Sequence, residues 1–352
     1  MLADQVDYVV GVDTHRDEHV LAVVVAPTGA IVAQRSVRAT ARGYAQALRF
    51  TQKHAAGARV WAVEGAGHYA AGLARYLSDH GEAVCEIGRG PRDERRLRGK
   101  DDSLDAVRAG HAALSSKTLS LPRAGPRREA LLLLLLLLLA RRSAVDVRRE
   151  ALVQLHSVIV TAPDALREQL RGLPAGRLIQ RCSRLRRSSS RTPDELATIL
   201  VLRSLARRIE AATTEAAELE AEILGHARAL APQLLDEAGA GPIVAAQLLV
   251  TWSHQGRVRS EAAFARLAGV APIPASSGKT IRHRLSRGGD RQLNRALHTV
   301  ILHRRHHDPA TKDYIARRLA EGKTQREAVR LLKRYLARHL YRVLDNQAAL
   351  MT

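Results

Sequence analysis

Three β-rich runs follow one another at the start of this chain with no helix between them, and that order excludes most folds. Tyr8-Val-Val-Gly-Val-Asp13, His19 to Val25 and Ala30 to Val37 are short, rich in β-branched residues and joined by turn-like pieces such as Pro27-Thr-Gly29. Adjacent runs of this kind predict an antiparallel meander. The pattern then alternates: Ala41 to His54 reads as a helix, Arg59-Val-Trp-Ala-Val63 as a buried strand, His68 to His80 as a helix and Glu82 to Ile87 as a strand.

The order βββαβαβα is that of the RNase H-like fold, so an α/β domain of that class is expected over residues 1–120. A chain of 352 residues exceeds one usual hydrophobic core and predicts further domains. From Arg127 to Leu170 the pattern is helical, broken internally at Pro163, and Pro193-Asp-Glu opens another helix towards Leu230. Two antiparallel helices would form a coiled-coil-like connector over 121–231, with Ser183 to Arg191 as a basic, serine-rich linker. Past Pro232 the chain turns to small residues and Gly, and a mainly α C-terminal domain is expected over 232–352, with a helix at Glu261 to Leu267, a turn-rich Pro272 to Lys279 and a basic helical tail to Leu344.

The chemistry is expected at strand ends. Asp13 closes one strand and Glu64 follows another, with Gly65 and Gly67 allowing a sharp turn. In Lys100-Asp-Asp102-Ser-Leu-Asp105, residues 102 and 105 are three apart at a helix start and share a face. Four carboxylates that converge need cations: Mg²⁺ is held by a few carboxylates with positions left for water and phosphate, and two ions can serve attacking and leaving oxygens. An ordinary cap or solvated turn is the plain alternative for each Asp taken singly. Asp17, Glu86 and Asp101 are nearby decoys.

Charge names the partner class. Lys and Arg number 56 against 35 acidic residues, a formal net charge of +21, which favours nucleic acid. Aromatic residues are only 3% of the chain, so base stacking is not expected to dominate. Cys85 and Cys182 stand alone, without zinc-ligand spacing, and fit a reducing cytoplasm. Leu131 to Leu139 would span only about 14 Å as a helix against a hydrocarbon core of about 30 Å. No membrane span or secretion leader is expected. A helix apolar on all sides is instead usually buried between helices or in an oligomer interface.

These residues resemble the DEDD transposases of bacterial insertion sequence family 110. The matching pieces are Gly11-Val-Asp13-Thr-His15, Val63-Glu64-Gly65, Lys100-x-Asp102-x-x-Asp105-Ala106, Gly239-Ala-Gly241-Pro, Leu267-Ala-Gly269-Val-Ala-Pro272, Ser277-Gly278-Lys279 and Ser286-Arg-Gly288-Gly-Asp-Arg-Gln-Leu293. The resemblance implies a RuvC-like N-terminal domain and a C-terminal domain supplying a serine nucleophile. Ser277 takes that role by position, with Ser276 as the fallback. It implies a 5′-phosphoserine link to DNA, assisted by Mg²⁺, or by Mn²⁺ in its place, at Asp13, Glu64, Asp102 and Asp105. It also implies donor and target DNA as partners, a structured non-coding bridge RNA as guide, and a dimer or tetramer holding the two DNAs.

Other features fit nucleic acid. Gly239-x-Gly241-Pro resembles a helix-hairpin-helix turn able to hold a phosphate. Lys100, Lys279, Arg282, Arg284, Arg287 and Arg291 place positive charge beside the motifs. His15, His68 and His283 are candidates for proton transfer, against a structural role. Two rival readings are a RuvC-like nuclease that uses water, needing the carboxylates but not Ser277, and a decayed copy that only binds nucleic acid.

Overall fold

The computed structural model describes residues 2–66, 69–87, 102–116, 119, 121–122, 128–187, 191–276, 283–284, 286 and 288–349. The chain forms two compact units: Met1–Arg128 with Ser253–Ser260, and Glu129–Trp252 with Glu261–Thr352.

The first unit is built on a five-stranded sheet of order β3-β2-β1-β4-β5, from β1 (Tyr8–Thr14), β2 (Glu18–Val25), β3 (Ile31–Arg38), β4 (Arg59–Glu64) and β5 (Ala83–Ile87). The meander β1-β2-β3 is antiparallel as expected, and β4 and β5 run parallel to β1. Strands β1 and β4 are apolar on both faces because both are covered. On one face Val10, Val12, Leu21, Trp61 and Val63 pack with Ala47 and Leu48 of α1 (Ala41–His54) and Leu73 and Leu77 of α2 (Ala71–Asp79). On the other, Val9, Val60, Ala62 and Cys85 pack with Ala113, and Ala22 with Ala106 and Val107, all three partners lying on α3 (Asp102–Leu114).

Local signals set the ends. Thr40 caps α1 by accepting from the Gly43 amide at 3.2 Å. Helix α2 closes on Gly81 at φ +76, with Glu82 N–H bonded to Leu77 O and Gly81 N–H to Ser78 O, the paired bonds of a Schellman motif. Its start falls at Ala71 rather than His68, and the capping residue Ala70 contributes no side-chain bond.

Glu82 then anchors β4 to β5. Its carboxylate accepts from Arg59 Nε and from Trp61 Nε1, both at 2.8 Å, while Arg59 Nη1 donates to Ala55 O at 2.8 Å. Burial pushes the Glu82 carboxyl up, but the bonds from Arg59 and Trp61 and the Arg59 charge outweigh it and hold the group below its ordinary value. A carboxylate held low stabilises the fold above its unfolded value of about 4.3 and loses that contribution as pH falls through the folded value. Glu82→Gln is therefore expected to cost about 2 kcal/mol at pH 7. Denaturant unfolding of both proteins should show the gap closing as pH falls below the unfolded value of about 4.3 and through the lowered folded one.

The second unit is helical. Helices α4 (Arg128–Val160) and α7 (Pro193–Leu230) run antiparallel: Arg141 pairs with Glu220 at 2.8 Å, while Ala151 and Leu155 share a core with Ile199 and Leu202. Short helices α5 (Asp164–Leu170) and α6 (Ala175–Ser183) pack into that core through Leu166, Leu170 and Leu178. Thr192 and Glu195 form a capping box that starts α7. The leucine run is not buried on all sides: Leu131, Leu134 and Leu138 are buried, whereas Leu132, Leu133, Leu136 and Leu139 are exposed. That is a heptad-spaced stripe on one face. Among the described residues, no helix is long and apolar enough to cross a membrane.

After α8 (Pro232–Leu235) come α9 (Pro242–Trp252) and α10 (Glu261–Leu267), then a two-stranded ribbon of β6 (Ile273–Pro274) and β7 (His283–Arg284). The basic tail is helical as expected and is formed by three helices, α11 (Arg291–His307), α12 (Pro309–Ala320) and α13 (Gln325–Ala349). The breaks fall where Asp290 and Asp308 cap the helix that follows and where Gly322 adopts φ +83.

Candidate active site

The β1–β4 register places Gly11 beside Ala62 and Val12 beside Val63, so the next step along the parallel pair sets Asp13 beside Glu64. Thr14 Oγ1 donates to Glu64 O at 3.0 Å and ties the two strand ends together. Strand alternation decides the face. Val9, Val60 and Ala62 pack against α3, so Asp13 and Glu64, at even steps from them, point to the α3 side.

Helix α3 brings the third carboxylate to the same end. Val9 shares a cluster with Ala113, while Gly11 lies against Ala106 and Gly110, so α3 runs antiparallel to β1 and its first turn falls towards Asp13. This close seating depends on Gly11, where a Cβ would stand 1.9 Å from Ala106 O and 2.6 Å from Gly110 N. Asp105 sits in that first turn, 14% exposed, and accepts from Arg108 Nη1 at 2.6 Å. Asp13, also 14% exposed, lies 3.1 Å from His15 Nε2 through Oδ2. Sequence reasoning misses Arg108, although its i+3 spacing from Asp105 is a usable signal.

Asp102 opens α3, and its side chain lies outside the described residues. Among the described residues no group of three or more His, Cys, Asp and Glu side chains is gathered closely enough to hold a metal ion. The donor set itself, carboxylate oxygens without thiolates, suits a hard divalent cation. Two decoys separate from the site. Glu86 pairs with Val63 in register and so faces the α1–α2 side, where Arg257 approaches it at 3.9 Å, and Asp17 is solvent-exposed beside Arg16.

In the second unit, Ser277, Lys279, Arg282 and Arg287 lie outside the described residues, as do Lys100, Asp101 and His68 in the first. Ser276 is exposed two residues beyond β6, and the pairing of Pro274 with His283 holds the two flanks of that segment side by side. Arg284 on β7 and Arg291 at the start of α11 are both exposed. Gly239, at φ +86, and Gly241 form the turn between α8 and α9, and a Cβ at Gly239 would meet His303 Cβ at 3.0 Å and Val300 O at 3.1 Å. That turn borders a cleft of about 910 Å³ also lined by Arg141, Arg142, Arg228 and Arg295.

Two family models match the chain. Residues 10–162 match the DEDD transposase model of the IS110 type, and residues 231–316 match the model described as transposase of the IS116/IS110/IS902 family. The chain is 36% identical over 148 residues to an uncharacterized 43.6 kDa protein of insertion element IS110 from Streptomyces coelicolor, covering 41% of this chain and 36% of that protein. It is 32% identical over 158 residues to an uncharacterized 42 kDa protein of insertion element IS900 from Mycobacterium paratuberculosis, covering 44% of this chain and 39% of that protein. The matched regions thus span under two fifths of the length of these curated relatives.

Proposed function

We propose that the chain, whose residues 10–162 and 231–316 match the two models of the IS110 family of DEDD transposases, is the recombinase of an insertion sequence, cutting and rejoining DNA through a serine-linked intermediate. The observation that carries this reading is the placement of Asp13, Glu64 and Asp105 at one end of one face of the sheet. Strand order β3-β2-β1-β4-β5, with an antiparallel meander and two parallel additions, supports an RNase H-like, RuvC-like domain over 1–120. A helical connector over 121–231 and a transposase domain over 232–352 complete the division.

Asp13, Glu64, Asp102 and Asp105 would hold divalent cations, Mg²⁺ or Mn²⁺. When bound, two such ions offset the carboxylate charge and polarise a phosphodiester. Asp13 Oδ2 lies against His15 Nε2 and Asp105 Oδ1 accepts from Arg108 Nη1, contacts that orient the two carboxylates. Ser277 Oγ attacks the phosphorus of a DNA phosphodiester, the new Oγ–P bond replaces the P–O3′ bond, and the serine proton is lost while O3′ leaves as a hydroxyl. Rejoining reverses the exchange on a second strand. Lys100, Gly239, Gly241, Lys279, Arg282, Arg284, Arg287 and Arg291 would bind backbone phosphates, the charged ones as counter-ions and the glycines through exposed amides. The net charge of +21 supports nucleic acid as the partner, in this reading donor and target DNA and a structured guide RNA.

A nicked suicide DNA spanning the ends of the encoding element, incubated with the full chain and Mg²⁺, tests the nucleophile. The expected product is a protein–DNA adduct whose digested peptide carries phosphate on Ser277, absent in Ser277→Ala. Cleaved free ends without adduct, retained in Ser277→Ala, would instead assign water as the nucleophile.

A further inference from the structure

A second cleft, of about 550 Å³, lies in the helical unit between the ribbon, the start of α11 and α13. Arg284, Arg291, Lys323, Arg330, Lys333 and Arg334 line it. No ion pair engages any of these six among the described residues. Glu327, the carboxylate of the lining, is already committed: it accepts from Thr324 N at 2.8 Å and Thr324 Oγ1 at 2.9 Å, capping α13. Glu327 offsets part of the charge of Lys323 and Arg330, but one carboxylate against six cations leaves a positive excess whose self-repulsion an anion or solvent must relieve.

Lys333 differs from its five neighbours, which are exposed. It is half-buried, and its Nζ donates to Asn294 Oδ1 at 2.9 Å, while Asn294 Nδ2 is fixed by donating to Ala268 O at 2.8 Å. Burial and the charge of Arg330 push the Lys333 ammonium below its ordinary value. An ammonium aimed by an amide rather than paired with a carboxylate keeps its remaining donors for a ligand. Two of the six, Arg284 and Arg291, belong to the motif region around residues 277–293, whereas Lys323 to Arg334 come from a helical stretch that no motif marks.

We infer that this cleft binds a backbone phosphodiester of nucleic acid, with Lys333, positioned by Asn294, as its central contact and Arg330 and Arg334 beside it. The inference rests on the nucleic-acid-binding reading above and extends it to a site on α13.

Fluorescence anisotropy of the full-length protein with a labelled duplex from the element end, and separately with a labelled RNA hairpin from its non-coding flank, tests this across a salt series. Lys333→Gln and the double variant Arg330→Gln/Arg334→Gln should each weaken binding by roughly ten-fold, the size of a charge-assisted hydrogen bond. The slope of log K against log salt should fall by about 1 for each phosphate no longer neutralised. Lys333→Arg should keep the slope, and Arg207→Gln, which removes the same single charge as Lys333→Gln but on exposed α7 surface, should leave binding unchanged. A loss confined to one ligand identifies that ligand as the phosphate source. Wild-type slopes in the double variant and in Lys333→Gln, for both ligands, would overturn the cleft assignment while leaving the wider reading intact. Failure of the wild-type protein to bind either ligand would overturn both.

Discussion

Gly11→Ala is expected to destabilise the first unit by about 3 kcal/mol, the upper end of the usual overpacking cost, and to cut DNA cleavage by about 100-fold, as a misplacement of about 1 Å can do. The added Cβ would stand 1.9 Å from Ala106 O and 2.6 Å from Gly110 N, and both obstacles are backbone atoms of α3 that no rotamer change can clear. Helix α3 must therefore move off β1. Asp105 is one residue from Ala106 and moves with it, away from Asp13 and Glu64. A destabilisation of this size lowers the melting temperature on the order of 10 °C in a unit of this length. Gly65→Ala is the matched control: at φ +66 it meets nothing within 4 Å, so it carries only backbone strain, about 1 kcal/mol. Wild-type melting and activity in Gly11→Ala would mean that α3 is not seated on β1 as described.

Much of the first unit is legible in the sequence because its strands are apolar runs bounded by turn residues. The five strands fall within about two residues of expectation, within the usual scatter of element boundaries. The sequence pattern starts α2 too early because Ala70 gives no capping signal to mark the true start. The leucine run is opaque for a different reason: nine identical side chains carry no periodicity, so only the fold decides that Leu131, Leu134 and Leu138 turn inward. Helix α6 is not anticipated in the sequence, and its N-cap residue Pro174 makes no side-chain capping bond.

The site divides along the same line. Asp13 and Glu64 are readable as strand ends, and Asp105 as a helix-start carboxylate. Their common face follows from sheet register and from the passage of α3 over Gly11, contacts between residues some 95 positions apart that no local pattern encodes. Lys333 is, in sequence, one basic residue among many on an amphipathic helix. Its burial and its bond to Asn294, 39 residues away, exist only in the fold.

The largest catalytic effect is expected from Asp13→Asn. Asp13, Glu64 and Asp105 lie towards one face, where Arg108 is a described positive group beside Asp105 and the His15 ring lies against Asp13. On the proposed reading, removing one carboxylate charge relieves repulsion in the free protein and also deletes one of the groups that would hold the divalent cation. Stability should hold while chemistry fails. The substitution is near-isosteric, and the β1–β2 and β1–β4 ladders are backbone interactions that it leaves untouched. Loss of one such electrostatic contributor in an active site costs on the order of 100- to 1,000-fold in rate. The decisive measurement is the single-turnover rate of strand cleavage by the wild-type protein and by Asp13→Asn, with element-end DNA, saturating Mg²⁺ and thermal melts of both proteins recorded alongside. A rate at least about 100-fold lower in Asp13→Asn, with the melting temperature unchanged or raised, is the predicted result; cleavage by Asp13→Asn at the wild-type rate would contradict the assignment of these carboxylates as the active site.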